Sequence, residues 1–231
     1  MIIIAHRCGT DRFPEQTVAA AKYSLQHSAD YVEVDIRFTS DGVPVVIHDR
    51  TPESLYGVDT PVAEMTEKDF LALRRKSDPS VCGHSFSHYL SCGIDRMLFH
   101  CKEGGERLYT VLDLCREYGL LDKVVFGVQK TEDVRIVKDY GADIKVLAFM
   151  PDVKDIGAFA AAGADNIRLW EQWCTPENIA AVKNTGKKLW IMANSPEVGE
   201  VTGGSYRFYE NCNADGVLVN EILPAISYYG K

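Results

Sequence analysis

"YVEVDIRFTSDGVPVVIH", residues 31–48, decides how this chain folds. Its first half alternates with a period of two. Tyr31, Glu33, Asp35 and Arg37 fall on one face, and Val32, Val34, Ile36 and Phe38 on the other, as in a β-strand. Its second half, "PVVIH" at 44–48, is again strand-like, yet only "TSDGV" lies between the two, too little for a crossover helix. Asp41-Gly42 is a strong hairpin dipeptide, and a two-residue turn there predicts Ser40 opposite Val43 and Asp35 opposite His48. The run at 44–48 is then a return arm and not a core strand.

That decision sets the strand count. Apolar, β-branched runs occur at 1–6, 31–38, 44–48, 97–102, 124–129, 145–150, 166–170, 188–194 and 216–220, with helix-like segments such as 15–28, 107–118 and 176–185 between them. Strand–helix alternation implies a parallel sheet covered by helices. Late strands start near 124, 145, 166 and 188, about one βα unit per step, which leaves no room for a second domain. With the hairpin arm set aside, eight strands remain. The expected fold is of the α/β class, a single (β/α)8 TIM barrel over residues 1–231, with a β-hairpin excursion and insertion at about 37–96 after the second strand. An open doubly wound sheet is the alternative; against it, "CGTDRF" at 8–13 lacks the glycine-rich phosphate loop of that fold. Within the insertion, Thr66-x-x-Asp69 reads as a capping box opening a short helix, and "KSDPSVCGHSFSHYLSCG" at 76–93 reads as loop over the active-site end.

Composition narrows the function. Net charge is −8, so the chain is not built to bind nucleic acid through its overall field, and an anionic substrate needs local cations. No run reaches the length of a membrane span, and "MIIIA" is too short for a signal segment. The seven cysteines are odd in number and lack CxxC spacing; they read as buried thiols of a cytoplasmic protein.

Barrel enzymes carry their chemistry at the C-terminal ends of the strands. There the first strand offers His6 and Arg7, the second Glu33 and Asp35, the hairpin His48, and the next strand His100 and Lys102 on one face. Two carboxylates inside a barrel need a compensating partner, and a divalent cation is the obvious one. Two imidazoles, two fixed cations and a metal suit phosphodiester cleavage. The bland readings are core histidines, internal ion pairs of Glu33 and Asp35 with arginines, and a Lys102–Glu33 pair. Glu15 reads as the start of a helix, His84 and His88 as loop residues, and Trp170 and Trp190 as core or pocket wall. Cys8 and Cys101 lack an evident base and are not taken as nucleophiles.

"HRCGTDRFPEQTVAA" (6–20) resembles the "HRG…PENT…A" opening of the glycerophosphodiester phosphodiesterase family, and "VEVDIRFTSDGVPVVIHD" (32–49) is similar to its "ELDVxxTkDGxPVVxHD" block. The resemblance implies His6 and His48 as general acid and base, Arg7 and Lys102 as phosphate-binding, and Glu33 and Asp35 as ligands of Ca²⁺ or Mg²⁺. It also implies hydrolysis of a small glycerophosphodiester to an alcohol and a phosphomonoester, and a place in lipid metabolism. The chain departs from the pattern in "HRC" for "HRG", in "PEQT" for "PENT", in "WIMANS", which keeps the late "WTVN" only loosely through Asn194, and in Asn220, which takes an acidic position. Most tellingly, His100 stands where the family has a third, glutamate ligand. As a candidate ligand His100 points toward Mn²⁺ or Zn²⁺ as alternatives. Rival readings are a weakened barrel that only binds a phosphorylated ligand, and an isomerase or aldolase using Lys102.

Overall fold

A computed structural model describes residues 1–231. Eight parallel strands close on themselves: β1 (Ile2–Ala5), β2 (Tyr31–Phe38), β4 (Met97–Cys101), β5 (Val125–Val128), β6 (Lys145–Ala148), β7 (Asn166–Trp170), β8 (Lys188–Met192) and β9 (Gly216–Val219). Closure comes from β1, which pairs with β9 at Ile3↔Val217 and with β2 at Ile4↔Tyr31. β3 (Pro44–Val46) is the one antiparallel strand and pairs with the end of β2. The chain is thus a (β/α)8 barrel with one hairpin excursion, and β7 stands diametrically across from β2. No helix is long and apolar enough to cross a membrane.

The alternation of each strand sorts its side chains into two layers. Ile3, Val32, Val34, Phe99, Ile167, Ile191 and Val217 point outward into the sheath between barrel and helices. Ile4, Leu98, Val125, Leu147, Phe149, Trp190, Met192 and Leu218 fill the barrel's interior. The helices α1 (Val18–Gln26), α5 (Arg107–Glu117), α6 (Thr131–Tyr140), α7 (Ile156–Ala162), α8 (Pro176–Asn184), α9 (Ser205–Asn211) and α10 (Ile222–Tyr229) cover the outside. Their starts are legible: Thr17 caps α1 by accepting from Ala20 N, and Thr175 caps α8, with Pro176 at its first position.

Two expectations need correction. The hairpin pairs Ile36 with Val46 and Phe38 with Pro44, one residue off the expected register. Its loop is three residues, with Gly42 N bonded to Thr39 O and only Gly42 left-handed (φ 81°). Asp41 is occupied elsewhere: its carboxylate accepts from Thr39 Oγ1 and from Glu67 N. His48 therefore lies beyond β3 and not opposite Asp35, whose carbonyl accepts instead from Ile47 N. The second correction is within the insertion, which contains the short helices α2 (Glu53–Tyr56), α3 (Glu67–Ala72) and α4 (Phe86–Ser91). Thr66 does cap α3, accepting from Asp69 N. The stretch at 76–93, expected as loop, ends in α4, whose Phe86, Tyr89 and Leu90 are buried against the barrel. A satellite core of Val45, Ile47, Val62, Met65 and Phe70 ties the hairpin to the rest of the insertion.

Candidate active site

The mouth of the barrel is organised by a strained turn. β1 ends at Ala5, and His6–Gly9 form a tight turn, closed by Gly9 N donating to His6 O, in which Arg7 (φ 50°) and Cys8 (φ 71°) are left-handed. Gln16 (φ 56°) is left-handed too, and its N–H donates to Arg7 O. Left-handed non-glycine residues cost of order 1 kcal/mol or more each and persist only where their surroundings hold them. Here the holding groups are the two carboxylates. Arg7 N donates to Glu33 Oε2 (2.8 Å), and Gln16 Nε2 donates to Asp35 Oδ2 (2.6 Å). Glu15 belongs to this loop and not to α1; it pairs with Arg7 Nη1 at 3.2 Å. The insertion clamps the same loop through Arg75, whose Nη1 donates to Glu15 O.

Glu33 and Asp35 are almost fully buried, at 1% and 0% exposure. Their free oxygens meet His100: Nδ1 lies 3.2 Å from Asp35 Oδ1 and 3.8 Å from Glu33 Oε1. One ligand atom from each residue lies within 4.8 Å of the others, close enough to share one cation. Lys102 Nζ is part of this cluster, 2.8 Å from Asp35 Oδ1 and 2.9 Å from His100 Nδ1. The lysine pairs with Asp35 and not with Glu33. Lys102 Nζ can only donate, so Nδ1 accepts from it and the proton of His100 sits on Nε2; Gln129 Nε2 lies 2.8 Å from that nitrogen, and turning the carboxamide over brings its oxygen there to accept. That leaves the Nδ1 lone pair facing the carboxylates. Burial and the charge of Asp35 push Glu33 well above the usual carboxylate range. For Asp35, burial works upward, but the charge of Lys102, 2.8 Å away, outweighs it and holds the group well below that range. Two carboxylates this close and this dry do not both ionise without a cation, and the donor set fits one.

The two imidazoles are set differently. His6 Nδ1 lies 2.7 Å from Asn220 Oδ1. The amide is oriented, because Asn220 Nδ2 donates to Val198 O. Nδ1–H of His6 is then the donor, and Nε2 keeps its lone pair. Gly199 makes this fit: its φ is 82°, and a Cβ there would overlap the Asn220 carboxamide. Burial lowers His6 to about 4, with Arg7 and His48 acting in the same direction and Asn220 and Asp35 against it. His48 is partly exposed and held below the ordinary imidazole value, by burial first and by Lys102 and Arg7, against Asp35 and against Asp49, to which its Nδ1 is bonded at 2.8 Å. A cleft of about 490 Å³ opens on His6, Arg7, Glu15, Asn194, Glu197, Val198 and Asn220.

Sequence reasoning misses three participants. Gln129 contacts His100 from β5's end, and Asn220 stands in the sequence only as a departure from a pattern. Arg168 on β7 gives no motif at all. It is 4% exposed, with its guanidinium carbon 4.3 Å from the Trp170 ring, 5.4 Å from Phe149 and 5.5 Å from Trp173. Phe149 in turn stacks flat on His100, with centroids 4.0 Å apart. The one signal for Arg168 is its place between Asn166 and Trp170 on the inward face of "NIRLW". His84 and His88 stack on each other at the start of α4, away from this cluster.

Residues 6–100 match the model of the glycerophosphoryl diester phosphodiesterase family. Among curated proteins, glycerophosphodiester phosphodiesterase 1 of Rattus norvegicus is 54% identical over 48 residues, 21% of this chain and 14% of that protein. The glycerophosphodiester phosphodiesterase of Caldanaerobacter subterraneus is 46% identical over 50 residues, 22% of this chain and 21% of that protein. The match thus spans a seventh to a fifth of these relatives' length. Among solved structures, a glycerophosphodiester phosphodiesterase so titled as putative from Galdieria sulphuraria superposes with a TM-score of 0.84 at 14% identity, covering 99% of this chain and 97% of that one. An Oleispira antarctica phosphodiesterase, solved with the product sn-glycerol-3-phosphate, gives 0.83 at 15% identity, covering 99% and 96%. At such identities the superpositions speak for the barrel.

Proposed function

We propose that this chain, which belongs to the glycerophosphoryl diester phosphodiesterase family through residues 6–100, hydrolyses glycerophosphodiesters to an alcohol and a phosphomonoester with the help of one divalent cation. The observation that carries the reading is the convergence of Glu33, Asp35 and His100 with two imidazoles and two cations at one mouth. Glu33, Asp35 and His100 would hold the cation, with Gln129 orienting the imidazole. Bound there, it supplies Lewis-acid stabilisation of charge on the phosphoryl oxygens. Arg7 grips the phosphate from the β1 turn, and Lys102, beside Asp35 at the same mouth, is the second fixed positive charge that would hold it.

His6 takes a proton on Nε2 from the attacking water as its oxygen bonds to phosphorus, since the tautomer of His6 is fixed by Asn220 and burial keeps it neutral. The bond from phosphorus to the departing alcohol breaks as His48 delivers a proton to that oxygen. His48 takes the acid role because Asp49 holds its Nδ1–H and leaves Nε2 to carry the transferred proton; burial, Lys102 and Arg7 hold the group below the ordinary imidazole value, with Asp35 and Asp49 opposing them. The loop 7–16, pinned by Glu33, Asp35 and Arg75, holds the base and Arg7 in one rigid frame.

The test is turnover of a panel of glycerophosphodiesters with Mg²⁺, Ca²⁺, Mn²⁺ and Zn²⁺, before and after chelation. Release of glycerol phosphate that stops with EDTA and returns with metal is the expected result. Full activity in verified metal-free protein overturns the metal, and absence of turnover with every ion overturns the hydrolase. A second reading has one observation behind it: both cations are already paired, Arg7 with Glu15 and Lys102 with Asp35. A barrel that holds a phosphorylated ligand without cleaving it would show calorimetric binding of glycerol phosphate in the same samples.

A further inference from the structure

Arg168 is a buried cation for which the proposed chemistry has no use. Its guanidinium forms no ion pair with a carboxylate; Nη2 donates weakly to Met150 O at 3.4 Å, and Nε and Nη1 have no partner. Burial lowers it to about 9, so it is charged at neutral pH. What surrounds it is aromatic: Phe149, Trp170 and Trp173 present their faces to it. Three ring faces around one point form the kind of cage that recognises quaternary ammonium groups, such as the choline of many natural phosphodiesters. In this chain the cage is filled from within by its own arginine.

Its position makes this matter. Arg168 lies across the barrel from Glu33 and Asp35, and it shares the Phe149 ring with His100, whose centroid is 4.0 Å from that ring while the guanidinium carbon is 5.4 Å from it. A diester held at His6, Arg7 and His48 has two substituents, and β7 is the strand opposite the one that carries Glu33 and Asp35. An ammonium arriving there meets a fixed like charge in a dry setting and finds the ring faces taken. A neutral or anionic substituent meets neither penalty.

We propose that Arg168 is a specificity-determining residue that turns the aromatic cage at β7 against cationic substituents, so that the diesters accepted are those whose group reaching β7 is neutral or anionic. The proposal rests on the phosphodiesterase reading of the same site.

The test compares two substrates of one shape, sn-glycero-3-phosphocholine and its uncharged isostere with 3,3-dimethylbutanol in place of choline. The wild type favours the neutral ester in kcat/KM by about tenfold or more, because the ammonium finds no free ring face and is repelled by a like charge. Arg168→Met keeps the bulk, removes the charge and frees the rings; the preference falls to near one or reverses. Arg168→Lys keeps the charge and retains the preference, and it serves if the methionine variant fails to fold. Dissociation constants of both esters, by calorimetry, give the same ratio independently of turnover. A wild type that takes the choline ester equally well or better overturns the proposal, as does a folded Arg168→Met with an unchanged ratio. Binding that keeps the charge preference while neither ester is cleaved supports Arg168's role and sinks the hydrolase reading. Neither binding nor cleavage of either ester sinks both.

Discussion

His6 and His48 carry the same side chain but keep different company, and the roles proposed for them rest on the difference. An amide accepts from Nδ1 of His6, whereas a carboxylate accepts from Nδ1 of His48. Asn220→Asp would place an anion behind His6 and stabilise its imidazolium, raising it from about 4 by roughly 1–3 units. A base must be neutral to act, so the acid limb of kcat/KM against pH should move upward by a similar amount, with loss of rate near pH 5 and little change at pH 8. A shift of the alkaline limb instead would mean that His6 is the acid. His6→Ala and His48→Ala should each lower kcat by on the order of 10²-fold or more while circular dichroism stays native. His100 invites a different test. As a nitrogen donor beside two carboxylates it favours Mn²⁺ or Zn²⁺ over Mg²⁺. His100→Glu adds a hard anionic oxygen and should tighten Mg²⁺ binding in calorimetry by about tenfold or more. Unchanged Mg²⁺ and Mn²⁺ constants in a folded variant would put His100 outside the metal's ligand set.

At the scale of elements, the period-two alternation of β2 places Glu33 and Asp35 on the inward face, and the structure agrees. The hairpin register is not legible in the same way, because Asp-Gly serves two turns. In a two-residue loop both positions are left-handed; in a three-residue loop only the glycine is, and Asp41 is free to bond Thr39 and cap α3 through Glu67 N. Nothing within residues 31–48 reveals a partner at 67. The stacked His100–Phe149 pair depends on β5 in a similar way. Gly127 lies beside His100 in the sheet, and a Cβ on it would run into the Phe149 ring and the Phe99 carbonyl. Gly127→Ala should therefore destabilise the barrel by about 1–3 kcal/mol, as overpacking does, and weaken metal binding by tilting His100. Urea unfolding and calorimetry on the variant measure the two effects. A variant as stable as wild type, with unchanged metal affinity, would show that the ring has room to move.

Across the whole molecule, what the sequence reveals is what repeats: strand spacing, inward and outward faces, and the residues that end each strand. Arg168, Gln129 and Arg75 escape because their meaning lies in partners brought by other turns of the barrel, Arg168 meeting Phe149 from β6's end and Arg75 meeting Glu15 across the mouth. Asn220 belongs with them, since it reaches His6 from the opposite end of the chain. That closure has a thermodynamic signature. His6 is sealed between β1 and β9 as a neutral imidazole, lowered to about 4 in the folded protein against 6.5 in an open chain. A depressed value means that stability is intact above 6.5 and declines as pH falls toward 4, because the unfolded chain takes up the proton first. At pH 5 the loss from this one group amounts to about 2 kcal/mol, at roughly 1.4 kcal/mol per unit. His6→Gln has no proton to gain. In EDTA, urea unfolding of the wild type between pH 7 and pH 5 should therefore lose about 2 kcal/mol more than unfolding of His6→Gln over the same range. Other carboxylates and histidines titrate alike in both proteins and cancel in the comparison. Parallel pH profiles for the two would mean that His6 takes up its proton as readily in the barrel as in water, and with that the neutral base assigned to it would be lost.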